Sequence, residues 1–198
     1  LTSESSGTEL QTTYFDSPGS HNTERTLNLA KQRSLEREIN NVIVASTTGA
    51  TGTQASKLFQ GFNLIIVTHV TGFREPNTQE LLRDNRSSIE KNGGKILTTA
   101  HAFGGLGRAV HRRFGAIQVD EVVANVLRLF GEGTKVAIEV ACMAADAGLI
   151  NIGSDVISIG GSGRGADTAI LLKPSNTHSF FDTRIQEIIC KPRLSSPT

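Results

Sequence analysis

The chain has 198 residues with 20 basic and 19 acidic side chains, a formal net charge of +1. That length suits one domain with a core of its own. The charge balance argues against nucleic acid or an anionic membrane as partner, and 5% aromatics without a tryptophan leave little to stack bases on.

Residues 1 to about 22 are rich in Ser, Thr and Gly, and we expect a flexible tail over 1–13. The segment "NTERTLNLAKQRSLEREIN" reads as a helix capped by Asn22 or Thr23, with Leu27, Ala30, Leu35 and Ile39 as its apolar stripe. Then a rhythm sets in. "NVIVAST" is a first buried strand, followed by a helix from about Thr51 to Gln60. "NLIIVTHV" is a second strand, with a helix from about Thr78 to Lys91. "KILTTAH" is a third. Helical pieces follow in "GLGRAVHRRF", "DEVVANVLRLF" and "TKVAIEVACMAADAGLI". "DVISIGG" is a fourth strand, and "ADTAILLKP" and "IQEIICKP" are two more. Short apolar strands alternating with helices predict a mostly parallel sheet covered on both faces.

In such sheets ligands sit beyond the carboxyl ends of the strands, so the residues just after each strand carry the functional information. Strand one runs into Ser46, Thr47, Thr48, Gly49, Thr51 and Gly52. Hydroxyls, glycines and a helix start suit a phosphate group; a tight strand-to-helix turn with threonine caps is the alternative. The Gly-Lys-Ser/Thr ending of a P-loop is missing, as is dinucleotide-fingerprint spacing. Strand four runs into "GGSGRGADT", where Gly161, Gly163, Arg164, Gly165 and Asp167 suit a ligand loop, with a hairpin or crossover as the alternative.

Thr68 and His69 end strand two, and His101 follows strand three, just before Gly104. The two imidazoles face one pocket if their strands are neighbours; otherwise each is a structural histidine. No third ligand is placed for zinc, and Glu75 is separated by Gly72. Lys135, Glu139 and Asp146 share one stripe of an otherwise apolar helix, which either meets solvent or lines a polar cleft. His69, His101, Lys135 and Glu139 are the candidate catalytic groups. No Gly-x-Ser-x-Gly elbow supports a serine hydrolase. Cys142 and Cys190 sit in apolar stretches without a partner motif, and with no signal-type N-terminus or membrane-length apolar run the expected setting is cytoplasmic.

The order of these parts resembles the C-terminal α/β domain of pyruvate kinase. It is more similar still to the stand-alone family of that domain found in archaea, carried by "NTERTLNLAKQR", "VTHVTGF", "LRLFGEGTKVAIEVACMAADAG", "GGSGRGADTAILLKP" and "FFDTRIQEIICKPR". The resemblance covers about residues 14 to 193 and implies a single domain over 14–198. It implies a three-layer α/β/α sandwich of strand order 3-2-1-4-5, with the loops after strands one and four side by side. It further implies bound FMN, its phosphate on the first loop and the second loop as the opposite wall; from the residues themselves, no metal is expected. The first loop lacks the basic residue that pyruvate kinase has there. Pyruvate kinase chemistry belongs to a separate barrel of about 250 residues, so that activity is not expected. Two functions follow from the residues and the resemblance together: an FMN-binding protein, as an oxidoreductase, or a non-catalytic sensor of a phosphorylated metabolite such as a sugar phosphate or nucleotide. The partner is a phosphate-bearing small molecule, and an exposed apolar helix face suggests a homo-oligomer.

Overall fold

The structure is a computed structural model that describes residues 7–193. Seven strands form one sheet: β1 (Thr13–Phe15), β2 (Asn41–Ala45), β3 (Asn63–Thr68), β4 (Lys95–Thr98), β5 (Val156–Gly160), β6 (Thr168–Lys173) and β7 (Arg184–Pro192). Six α-helices accompany them: α1 (Thr23–Glu36), α2 (Ala50–Leu58), α3 (Arg83–Lys91), α4 (Leu106–Phe114), α5 (Val119–Arg128) and α6 (Glu132–Asp146).

Side chains alternate along a strand, and in the central strands β2, β3, β5 and β6 both faces are buried, which is why these strands read as continuous apolar runs. Val42, Val44, Leu64, Ile66, Ile157 and Ile159 pack on one side with Leu27 and Ala30 of α1, Ala55 of α2 and Ile89 of α3. Ile43, Ile65, Val67, Val156 and Ile170 pack on the other with Ala124 of α5 and Ala137, Ile138, Ala141 and Cys142 of α6. Ser158 faces α6 and is fully buried; its hydroxyl donates to the Ala137 carbonyl at 2.6 Å, so no polar group is stranded there. The Arg33 guanidinium grips Glu187 through two bonds of 2.6 and 2.8 Å, fastening α1 to β7.

The strand order is β1-β7-β6-β5-β2-β3-β4. The expected five-strand order lies inside it as β4-β3-β2-β5-β6, widened by β7 and β1. The sheet is mixed rather than uniformly parallel, because β6 runs antiparallel to both β5 and β7. The reason is the length of the connection. Only residues 161–167 join β5 to β6, and a parallel crossover needs about a dozen residues or more. The glycine-rich loop is therefore a hairpin.

The expected tail also changes. Thr13 is already paired with Cys190 in the parallel β1–β7 ladder, and the Thr12 hydroxyl donates to the Ile188 carbonyl at 2.9 Å. Residues 7–12 have no regular secondary structure; residues 1–6 of the expected tail and 194–198 of the expected domain lie outside the described residues. The third helix starts at Arg83 rather than near Thr78, because Gln79 and Glu80 are bound back to His69. On the outer side, α4 and α5 expose Leu106, Phe114, Val119, Val122 and Val126.

Candidate functional site

Beyond the carboxyl ends of β2, β3 and β4 the chain gathers its hydroxyls, imidazoles and one buried ion pair. β2 lies between β3 and β5, so the loops after β2 and β5 are neighbours at the point where the connections diverge.

The loop after β2 uses some of its polar groups on itself. Ser46 is buried; its amide donates to the Val67 carbonyl at 2.9 Å, and its hydroxyl accepts the Gly52 amide at 3.0 Å. Ser46 is thus the side-chain cap of α2. The Thr48 carbonyl accepts the Leu82 amide at 3.1 Å and the Asn85 side-chain amide at 2.9 Å, which fixes the loop against the start of α3. Gly49 has a φ of 89°, the left-handed region. Gly52 has no room for a side chain: a Cβ there would stand 2.8 Å from Ile66 Cγ2 and 2.9 Å from Ile89 Cδ1.

Other groups of the loop are left open. The amides of Gly49, Ala50 and Thr51 have no acceptor among the described residues. Thr51 is only 6% exposed, yet its hydroxyl has no hydrogen-bond partner among them and is not sealed from the surface. Thr48 is exposed and Thr47 partly so. Open amides at the first turn of a helix carry partial positive charge.

Thr47 leads into a hydrogen-bonded chain. Its hydroxyl lies 3.2 Å from His69 Nε2, and His69 Nδ1 lies 2.7 Å from a Glu80 carboxylate oxygen. The other Glu80 oxygen meets the Arg74 guanidinium at 3.1 Å. His69 and His101 do come together, with ring centroids 5.3 Å apart. The Phe73 ring rests on both, 4.3 Å from His69 and 5.0 Å from His101, and the Arg108 guanidinium covers Phe73 at 5.0 Å. Burial holds the His101 imidazole below the usual histidine range. Glu139 pulls it back up, while His69, Lys135 and Arg108 push it further down.

Lys135 and Glu139 are both buried and paired with each other on α6. The second Glu139 oxygen accepts the Phe103 amide at 2.8 Å and so sets the path of the chain just after His101. The polar stripe therefore splits. Lys135 and Glu139 belong to the interior beside His101, whereas Asp146 caps the turn at Thr177, accepting that residue's amide at 3.0 Å.

Thr68 is buried, its hydroxyl 2.6 Å from that of Thr98, and it ties β3 to β4. Gly104 lies under the Arg108 side chain. In the β5–β6 hairpin, Asp167 is buried and accepts the Gly19 amide at 3.0 Å, the Ser162 amide at 3.1 Å and the Thr168 hydroxyl at 2.9 Å. A Cβ on Gly165 would stand 2.5 Å from Ser20 Cα, and Gly161 faces the Gly165 carbonyl across the loop. These residues bind the hairpin to the start of α1. Gly163 and Arg164 remain exposed at its tip.

Sequence reasoning missed Glu80, Phe73 and Arg108. Glu75 was the acidic residue weighed against the histidines, and it is exposed. The signal for Glu80 was "EPNTQE": Pro76 and an Asn77 with φ of 60° make a turn that brings the second glutamate back. Among the described residues no group of three or more His, Cys, Asp or Glu side chains is arranged to hold a metal, and no helix is long and apolar enough to cross a membrane.

A layered α/β/α arrangement, with helices packed on both faces of one mixed sheet, defines the chain as a three-layer α/β domain. More particularly, the chain belongs to the pyruvate kinase alpha/beta domain family, whose model matches residues 24–172. That match runs from α1 through most of β6; β1 and β7 lie outside it.

Proposed function

We propose that this domain binds a phosphorylated small molecule past the ends of β2 and β3, that the ligand is FMN, and that the protein is a flavin-dependent oxidoreductase without pyruvate kinase activity. The observation that carries the phosphate is the start of α2: three amides without acceptors beside a Thr51 that is buried except for an unpartnered hydroxyl. A dianion there gains from the amides, the helix end and the hydroxyls of Thr47, Thr48 and Thr51 together. The same unpartnered hydroxyl is the point on which the residues fit an FMN phosphate. His69 and His101 would flank an isoalloxazine ring, and Phe73, which rests on both, would have to turn aside to admit it.

FMN supplies electron or hydride transfer when bound. The chain's own part is to hold the phosphate, exclude water with Phe73 and Arg108, and present His101. Kept uncharged by burial, His101 offers a neutral donor and acceptor to a ring edge rather than a cation. Arg164, at the exposed tip of the neighbouring hairpin, is the residue of the opposite wall still free to reach a ligand.

The test is a visible absorption spectrum of the purified protein, before and after FMN is added and excess removed by desalting. Retained flavin bands are expected. A flat spectrum after both steps overturns the flavin assignment. The sensor reading then takes its place, and melting-temperature shifts with sugar phosphates and nucleotides test it.

A further inference from the structure

We infer that His69 sets the charge state of the ligand this site accepts: a dianionic oxyanion at Thr47 is taken up together with one proton, which resides on the imidazole. The inference rests on the anion reading above and deepens it, but it does not depend on the flavin.

The geometry fixes the proton positions. Glu80 has a carboxylate oxygen 2.7 Å from His69 Nδ1, so Nδ1 carries a hydrogen. What remains is Nε2, 3.2 Å from the Thr47 hydroxyl. In the neutral imidazole Nε2 has only a lone pair, and Thr47 must spend its single proton on it. The hydroxyl then turns lone pairs toward the loop and repels an anion's oxygens. In the imidazolium Nε2 donates to the Thr47 oxygen. The hydroxyl proton is released to donate to the anion, next to the open amides of Gly49, Ala50 and Thr51. The same protonation adds a full positive charge beside the site, where the Glu80 carboxylate is already matched by Arg74. Both effects favour the dianion in the same direction.

The groups that face His69 from other elements do not duplicate this role. His101 meets it edge to face from the loop after β4, and burial keeps His101 uncharged. Behind His101, Lys135 and Glu139 on α6 neutralise each other. Arg108 on α4 is a fixed charge separated from His69 by the Phe73 ring.

Sulfate is the probe, because it stays a dianion across the range in which histidine titrates, whereas phosphate itself changes charge there. Sulfate affinity is measured by calorimetry at several values between about pH 5.5 and 8.5. The expected result is an affinity that weakens by up to about tenfold per pH unit as His69 loses its proton, as linkage requires for one coupled proton. His69→Gln is expected to bind sulfate with no pH dependence. A histidine NMR titration of the unaltered protein guards against a misfolded variant: sulfate should raise the midpoint of the His69 ring signals and leave those of His101 in place.

Three results overturn the inference: sulfate binding independent of pH, a pH dependence that persists in His69→Gln, or an NMR midpoint that moves at His101 instead of His69. In each of these cases sulfate still binds and the anion site stands. Absence of sulfate binding at every pH removes the anion site itself, and this inference with it.

Discussion

His69 and His101 meet edge to face, 5.3 Å between ring centroids, yet they sit in different electrical surroundings. His69 is bonded on both nitrogens, to Thr47 and Glu80. His101 is held below the usual histidine range, first by burial. An unfolded histidine titrates near about pH 6.5. Below that value the unfolded chain takes up a proton that folded His101 refuses, so protonation favours unfolding. The stability His101 contributes is therefore complete above about pH 6.5 and lost as the pH falls through its folded value. Urea midpoints should drop over that interval and drop less in His101→Asn. Equal profiles for the two proteins would contradict it.

Burial also pushes both thiols up to about 11, Cys142 in α6 and Cys190 in β7. The thiolate is the reactive form. At pH 8 the native protein should react with neither iodoacetamide nor a disulfide reagent on the time scale of an exposed thiol. Both cysteines should react promptly in denaturant. Mass spectrometry of the labelled peptides reads each one separately.

Gly52 is constrained by packing alone and Gly49 by packing and backbone conformation together. Gly52→Ala forces a methyl between Ile66 and Ile89, and overpacking of this kind costs about 1–3 kcal/mol. Gly49→Ala combines a φ of 89° with a Cβ 2.6 Å from both Asn85 Cβ and Leu81 Cδ1. The strain and the overlap add, so Gly49→Ala should lower the denaturation midpoint more than Gly52→Ala. Equilibrium unfolding of the two variants compares them directly.

The buried Lys135–Glu139 pair should respond unequally to the loss of each partner. Glu139→Leu strands the Lys135 ammonium and the Phe103 amide together, whereas Lys135→Met leaves Glu139 its bond to Phe103. Breaking a buried pair costs about 3–5 kcal/mol, and Glu139→Leu should lie at the upper end. Changing both residues to Met and Leu should recover part of the loss. A double-mutant cycle by urea unfolding reads the coupling.

Much of this architecture was legible because the central strands are buried on both faces. Runs such as Val42-Ile43-Val44 and Leu64-Ile65-Ile66-Val67 leave no other reading, and the helices between them announce parallel neighbours. The direction of β6 was not legible. Ala169-Ile170-Leu171-Leu172 is also buried on both faces, so its pattern matches that of a parallel strand, and only the seven-residue connection betrays it. At the site, the sequence left the two histidines open as partners or as separate structural groups, because their meeting depended on β3 and β4 being neighbours. Glu80 could not be read, because its position depends on the turn at Pro76 and Asn77. The glycines of the β5–β6 hairpin read as room for a ligand. In the fold Gly165 makes room for Ser20 and Thr23, which no local pattern reveals, while Gly163 at the tip has open space.

The parallel pairing of β1 with β7 has a temporal side. Thr13 leaves the ribosome long before its ladder partner, Cys190. At synthesis rates of about 5–20 residues per second, the 177 residues separating them (190 − 13) take roughly 10 to 35 s to make. Through that interval β2, β3 and β4 can already associate, since each pairs with a near neighbour in the chain, while the strand made first stays unmatched. The earliest segment of the sheet is thus the last to join it.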